Sequence, residues 1–395
     1  MVTLARRLLW LKVKDWLKNY RPLTIGITGS SGQATAQAAI VQAIGGERRL
    51  RKYRQRDTSP RGVALAILGV KQPANKSGWV KLLARSLMRE LAEDEPDTVI
   101  VQIGAQAPGD IDWIATRRVF KIAVVLNAQP AHLDLFTSRE MLAHELTSLV
   151  VGLPTDGFAV LNADDTLVAA MAKRTTANVV TYGEHPEAHI RLRRVERLST
   201  GTLSCEVEID KGLHELHLKY LVNRGHVTHV LAALSVAHLI NLDLVKVIKR
   251  LQSFQPASGH GRLITGLQEA QLLDESAEAT ESTMKSALTT LKELKAQRRI
   301  AVLGDITHLG ATSDKVHRAL GQRAAQVANL VILVGESMRA AGEEALKAGA
   351  DVHHFQTATE AAKWLPSFIR SGDVIIVTGS KDMQMYKVAD SLKMD

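Results

Sequence analysis

The chain carries a single cysteine, Cys205, among its 395 residues. One thiol excludes an internal disulfide framework and suits a reducing compartment. No apolar run reaches about eighteen residues, so no transmembrane helix is expected. The opening segment MVTLARRLLWLKVKDWLKNYRP lacks both a long apolar centre and a small-residue cleavage site. It does not read as a secretory signal, and a cytoplasmic location is the expectation. Aromatic residues are only 4% of the chain, and no nucleic-acid motif with interleaved aromatics is present. Internal repeats and low-complexity tracts are also absent.

What is there suits a folded protein. Hydrophobic residues make up 46% and charged residues 23%, in a chain long enough for two or three domains. The net charge is +9, and much of it precedes residue 62. It lies in Arg6, Arg7, Lys12, Lys14, Lys18 and Arg21, then Arg48, Arg49, Arg51, Lys52, Arg54, Arg56 and Arg61. Such a cluster can attract nucleic acid, anionic lipid or a phosphorylated ligand. Without a recognition motif it reads as a solvated basic face, and nucleic acid is not an expected partner. Residues 3–20 place Leu9, Val13, Trp16 and Tyr20 on one helical stripe, and Pro22 stops the helix. Two alternatives stand for that stripe: packing on the chain's own body, or peripheral contact of residues 1–21 with the inner face of a membrane.

From Leu23 short apolar strands alternate with helices. LTIGITG, VALAILGV, DTVIVQIGA, KIAVVLNA, FAVLNADD and ANVVTYG read as strands. TLSCEVEID and LHELHLKYL alternate apolar and polar residues, as an antiparallel hairpin at the sheet edge with its turn near Lys211–Gly212. Two helical stretches lead to QPASGHGR, where a boundary is expected. AQLLDES, RRIAVLGD, LVILVGE and DVIIVTGS then form a second set of strands. The expectation is α/β: a basic helix over 1–22, a P-loop-type, mostly parallel central domain over 23–258, and a smaller Rossmann-like domain over 259–395.

Between the first strand and the first helix lie Gly29, Ser30, Ser31, Gly32, Gln33, Ala34 and Thr35. Glycines there let backbone N–H groups converge on an anion, and the helix N-terminus adds its dipole. A working phosphate loop also needs a lysine for the β- and γ-phosphates and a hydroxyl for magnesium. Gln33 stands at the lysine position, Ala34 at the hydroxyl position, and Thr35 comes one residue too late.

With ITGSSG (27–32), IGAQAPGDI (103–111), LNAQPAHLDLF (126–136), GLPTDGFAVLNADD (152–165), Gly261-Arg262, LLDES (272–276), AVLGDITHLG (301–310) and SGDVIIVTGS (371–380), the chain resembles the Mur ligase family. Within it, the members that add D-alanyl-D-alanine to a UDP-muramyl peptide are the most similar. The resemblance implies an ATP-dependent amide ligase that phosphorylates a carboxylate and joins it to an amine. It also implies which positions carry that chemistry, and here they diverge together. The loop lysine falls on Gln33, the magnesium-binding hydroxyl on Ala34 and the magnesium-binding glutamate on Gln102. The lysine that the family carbamylates falls on Leu146. Two asparagines of the G-x-H-N-x-x-N stretch become His226 and His229. The D-D-S-Y-N-A-N-P segment becomes Asp274-Glu-Ser-Ala-Glu-Ala-Thr-Glu281. Retained positions are Gly29, Gly32, Pro130, His132, Asn162, Asp164, Asp165, Arg262, Asp274 and Asp305. Only residues 1–22 precede the central domain, so recognition of a UDP-sugar through the family's N-terminal domain is not expected.

The reading from these losses is a pseudoenzyme with no cofactor and no metal. It would serve as a binding or scaffold partner of a catalytic Mur ligase, another cell-wall enzyme or a peptidoglycan precursor. The rival is an atypical amide ligase using ATP and Mg2+, in which Lys381, Arg262 or an arginine of residues 48–61 replaces the lysine. Three further groups are read as structural. The histidine pairs, His226/His229 among them, are expected to be partly exposed and not metal-bound. The acidic run Asp274, Glu275, Glu278 and Glu281 is expected to be a solvated helix start, and Cys205 to be buried.

Overall fold

The computed structural model describes residues 2–51, 55, 57–75, 77–79, 81–82, 95–131 and 133–394. Its first sheet has eight strands in the order β2-β1-β3-β4-β5-β6-β7-β8. These are β1 (Leu23–Thr28), β2 (Thr98–Gln102), β3 (Ile122–Val125), β4 (Phe158–Asn162), β5 (Asn178–Gly183), β6 (Ile190–Arg197), β7 (Leu203–Ile209) and β8 (Gly212–Leu218). Pairing is parallel from β2 through β6 and antiparallel from β6 to β8. The β7–β8 turn is made by Asp210 and Lys211, both with φ near +50 to +67, the left-handed pair a two-residue hairpin requires. Cys205 is buried on β7, where burial pushes its thiol up to about 12.

Helices cover both faces. On one side, α1 (Val2–Tyr20), α3 (Pro60–Leu68), α4 (Asp110–Ala115) and α5 (Arg139–Val151) share a core with Val99, Val101 and Phe120. On the other, α2 (Gln33–Ile44), α7 (Val227–Leu239) and α8 (Leu244–Leu251) cover Ile25, Ile27 and Val124. The short α6 (Thr166–Ala170) starts where the Asp165 carboxylate accepts the N–H groups of Leu167 and Val168.

One expected strand is a helix. VALAILGV lies mostly in α3, which starts at a Ser59 cap accepting from the Gly62 N–H, with Pro60 in its first turn. Every residue from Val63 to Leu68 is buried, so the all-round apolar pattern that suggests a buried strand equally describes a fully buried helix. What buries it is α1. Leu9 and Val13 are fully enclosed, Trp16 nearly so, and the Trp10 indole donates to the Pro60 carbonyl at 2.7 Å. Of the two alternatives for the N-terminal stripe, packing describes this helix; only Tyr20 of the four stripe residues is exposed. Among the described residues, no helix is long and apolar enough to cross a membrane.

The second sheet runs β13-β12-β11-β14-β10-β9. Its strands are β9 (Arg262–Thr265), β10 (Gln271–Glu275), β11 (Arg298–Gly304), β12 (Leu330–Val334), β13 (Asp351–Phe355) and β14 (Asp373–Thr378), parallel except for β9. One face carries α9 (Glu281–Glu293), α10 (Ser313–Ala325) and α11 (Met338–Lys347); the other carries α12 (Ala358–Trp364) and α13 (Tyr386–Ser391). Strands β6, β9 and β13 were not legible in sequence, because polar residues make up half or more of each and leave no clear apolar alternation.

The C-terminal ends of both parallel sheets face a shared cleft of about 1860 Å³. Such strand ends are where open α/β sheets place ligands. The two units are tied across it. His308 Nδ1 meets Asp134 at 2.7 Å, the Leu133 N–H donates to the His308 carbonyl at 2.8 Å, and Arg197 pairs with Glu293 at 2.6 Å.

Candidate functional site

The site starts with β1. Ile25 and Ile27 hold the strand in the core, and the chain leaves it through Gly29-Ser30-Ser31-Gly32 before α2 begins at Gln33. The strand–loop–helix geometry expected of a phosphate loop is present. Two of its backbone donors, however, already have acceptors. The Asn127 side-chain oxygen takes the N–H of Ser30 at 3.0 Å and of Ser31 at 3.2 Å, while the Asn127 amide donates back to the Ser31 carbonyl. The Ser30 hydroxyl donates to the Gln129 carbonyl. Gln33, at the lysine position, folds back so that its amide donates to the Gly29 carbonyl at 2.7 Å. Ala34 lines the cleft without a hydroxyl to offer, and Thr35 is buried.

Gly32 sits at φ +82, and a Cβ there would lie 2.2 Å from His229 Nε2. The loop is therefore roofed by an imidazole. His229 and His226 are both buried, their rings 5.7 Å apart, and the Nδ1 of each has no hydrogen-bond partner among the described residues. This corrects the expectation of partly exposed histidines for this pair, while His185, His189, His214, His217, His353 and His354 are partly or fully exposed. The start of α7 is pressed between the loop and the linker to the second sheet. Burial pushes His226 down to about 3, helped by the charges of His229 and His260, and His229 down to about 4. His226 approaches Glu275 at 3.9 Å but is neutral at pH 7, so the contact is polar and not an ion pair. A Cβ on Gly261 would lie 2.1 Å from His226, which leaves room only for glycine at that turn of the linker.

The position expected for a magnesium glutamate, Gln102, ends β2 at the cleft. Its amide donates to Gln37 at 2.8 Å, and its backbone exchanges two bonds with the Gln55 side chain. Gln37 in turn donates to the Ile100 carbonyl. An uncharged amide chain, satisfied within itself, occupies the position where the resemblance implies a metal ligand. Leu146 does not reach the site: it is fully buried in α5, and Leu142, one turn earlier, lines the cleft. Among the described residues, no group of three or more histidine, cysteine, aspartate or glutamate side chains is arranged to hold a metal ion.

The retained positions mostly build the walls. Asn162 donates to the Leu126 carbonyl, and its oxygen accepts from the Asp164 N–H. Asp164 takes the N–H groups of Glu184 and His185. Asp165 accepts from Ala128 and pairs with Arg139 at 2.8 Å. Asp305 holds the start of α11 through the N–H groups of Ser337 and Met338. Pro130 lines the cleft. Arg262 lies exposed on the edge strand β9 and is not among the cleft residues, whereas Lys381, Arg48 and Arg49 are. His132 lies outside the described residues, as do Lys52, Arg54 and Arg56 of the basic cluster.

The acidic run is not solvated. Asp274 and Glu275 are buried, and Glu278 is half-buried in the loop between β10 and α9, facing the cleft. Asp274 accepts the Ser276 N–H and hydroxyl and lies 3.5 Å from Lys393. Burial pushes Glu275 up to about 7 against the pull of its hydrogen bond from Asn223. Burial pushes Glu278 up to about 7 as well, against the pull of the nearby Gly32 backbone and of the Lys381 charge. Sequence reasoning missed Asn127, Gln37, Gln55 and the place of Glu278, since no motif links residues this far apart in the chain.

Comparison with known proteins follows the same lines. The family model described as Mur ligase middle domain matches residues 27–237, and that described as Mur ligase, glutamate ligase domain matches residues 264–381. The UDP-N-acetylmuramoyl-tripeptide–D-alanyl-D-alanine ligase of Mycobacterium tuberculosis is 29% identical over 94% of this chain and 73% of its own length. That of Bacillus subtilis is 21% identical over 96% and 78%. Among solved structures, MurF from Acinetobacter baumannii superposes with a TM-score of 0.81 at 21% identity, over 98% of this chain and 79% of that one. MurF from Thermotoga maritima, solved in complex with ADP, also gives 0.81, at 20% identity over 98% and 83%. The middle-domain match alone spans more than half of the sequence, and the chain belongs to the Mur ligase family.

Proposed function

We propose that this chain is a non-catalytic member of its family, acting as a binding or scaffold protein in peptidoglycan precursor synthesis. The carrying observation is that two of the loop's N–H groups and its glutamine are engaged by protein: Asn127 takes the Ser30 and Ser31 N–H groups, and Gln33 closes on Gly29. The residues present do not fit a magnesium triphosphate. No lysine stands in the loop, and the amide of Gln102, a poor ligand for a hard cation, is engaged with Gln37. Loss of one charge-stabilising donor typically costs about 3–4 kcal/mol of transition-state stabilisation, and here several are gone together. The partner in this reading is a catalytic Mur ligase, another cell-wall enzyme or a peptidoglycan precursor. Titration calorimetry with ATP, with and without magnesium, tests it. No binding up to millimolar nucleotide is the expected result, and magnesium-dependent micromolar binding would overturn it.

The cations in the cleft favour a second reading, an atypical ATP-dependent amide ligase in which Lys381, Arg48 or Arg49 stands in for the lysine. That reading requires nucleotide affinity in the wild type and its loss in Lys381→Ala or in the arginine variants.

A further inference from the structure

The N-terminal helix has two faces, and packing uses only one of them. Leu9, Val13 and Trp16 are buried in the core that α1 shares with α3. Each helical residue turns the chain by about 100°, so Arg7, Leu11, Lys14 and Lys18 form one stripe on the side opposite those three. All four are exposed, Leu11 at 63%. The helix is 19 residues long, a straight edge of about 28 Å.

This outer face is cationic and left unneutralised. Arg6, Arg7, Lys12, Lys14 and Lys18 stand in α1 against one acid, Asp15, on the flank of the stripe. Among the described residues, none of these five cations has a carboxylate within ion-pair distance. The cations where α1 ends differ. Tyr20 and Arg21 border a cavity with Arg48, Arg49 and Lys121, and there Arg49 lies 3.7 Å from Asp97 and Lys121 2.5 Å from Asp156. Toward the start of α1 positive charge is concentrated further. The guanidinium carbons of Arg6 and Arg117 lie 4.1 and 3.3 Å from the centre of the same Trp113 ring. Burial and the charges of Arg6 and Arg7 hold Arg117 below the ordinary arginine range. A helix N-terminus is itself partly positive, and no acid stands in the first turn of α1 to offset it.

An anionic surface laid along α1 would offset the charges that the chain leaves unpaired, and Leu11 decides which kind. A nucleic acid gains nothing from a leucine among its phosphates, and the outer stripe offers no aromatic side chain on which a base could stack. A lipid interface takes both features: headgroup phosphates meet the cations, and the leucine enters the acyl boundary. We propose that the outer face of α1, centred on Arg7, Leu11, Lys14 and Lys18, docks the protein on an anionic phospholipid surface. The helix lies on the membrane without crossing it, and its buried stripe ties the body of the protein to that contact. The contact needs no ligand in the cleft, so it is independent of how the phosphate loop is read.

Flotation of the full chain with lipid vesicles at low salt is the test. Wild type is expected to float with mixed phosphatidylglycerol–phosphatidylcholine vesicles, to stay behind with phosphatidylcholine alone, and to be released by added salt. Each cation at an anionic surface contributes about fivefold in affinity, so Arg7→Ala combined with Lys14→Ala and Lys18→Ala should weaken binding about a hundredfold. Lys249→Ala on α8, the helix that covers the other face of the sheet, should leave it unchanged. Leu11→Asn keeps every charge; it should weaken vesicle binding about tenfold and leave retention on duplex DNA unaltered. If the urea midpoint shows that the triple variant is unfolded, Leu11→Asn decides. Wild type that ignores phosphatidylglycerol vesicles, or a folded triple variant that floats as wild type does, would overturn the proposal. So would Leu11→Asn binding vesicles as tightly as wild type, the behaviour of a general polyanion surface.

Discussion

At the scale of single residues, the loop is decided by what touches Gly32. A side chain there meets His229 Nε2 at 2.2 Å and must also accept φ +82. The left-handed backbone costs a non-glycine residue about 1–2 kcal/mol, and overpacking a rigid site adds about 1–3 kcal/mol. Gly32→Ala is therefore expected to lower unfolding free energy by about 2–5 kcal/mol. His229→Ala in the same chain should recover the overpacking part but not the backbone part. A double-mutant cycle by urea unfolding should show coupling of about 1–3 kcal/mol between the two positions. Additive losses would mean that the imidazole does not roof the loop. The glycine was legible in the sequence as a loop residue, and so was the missing lysine. The histidine above it was not, since nearly two hundred residues separate the two.

At the scale of elements, the N-terminal helix shows how pattern and placement part company. Its stripe of Leu9, Val13 and Trp16 was legible from spacing, but spacing does not say what covers a stripe. The structure covers it with α3, a helix whose sequence reads as a strand until its cap, Ser59-Pro60, is seen in place. Trp10→Ala removes a buried ring and leaves the Pro60 carbonyl without the indole donor. The expected loss is about 3–5 kcal/mol, measured by chemical denaturation. A loss under about 1 kcal/mol, a surface-like value, would show that α1 is loosely attached. Strand β6 gives the opposite lesson. The consecutive Arg193 and Arg194, at a bulge in its pairing with β7, break its apolar alternation, so only its pairing with β5 and β7 reveals it.

At the scale of the whole molecule, the two units share a buried set of titrating groups. Burial lowers His226 to about 3 and His229 to about 4, from an ordinary 6.5. Unfolding lets both take up protons, so on their account stability rises with pH between about 3 and 6.5. Burial raises Glu275 and Glu278 to about 7 from 4.5. The folded chain holds those protons more tightly, so their contribution is complete below pH 4.5 and is lost as pH rises through 7. Between pH 4.5 and 6.5 the two effects oppose each other. Replacing both histidines, as His226→Asn with His229→Asn, should leave His260, which burial also lowers, as the one imidazole of this group opposing the two carboxylates in that window. Urea midpoints of the double variant should then fall as pH rises from 4.5 to 6.5, by up to about 1.4 kcal/mol per pH unit for each proton released. A slope equal to that of wild type would show that these imidazoles already titrate as exposed ones do.

The sequence by itself determined the class of the protein. Apolar strands buried on both faces, glycine at the first strand–helix turn and the run of family motifs leave little freedom in how the two sheets form, because hydrophobic burial and local periodicity act over short stretches of chain. It also determined that the loop lysine is absent, since that depends on residue identity alone. Only the tertiary structure decided what surrounds the loop. Asn127 on the Ser30 and Ser31 donors, the Gln37–Gln102–Gln55 amide chain and the imidazole over Gly32 come from segments far apart in sequence. Hydrogen bonds of that kind depend on distances of a few ångströms between groups that nothing local brings together, and the closure of the two sheets on one cleft is what sets those distances.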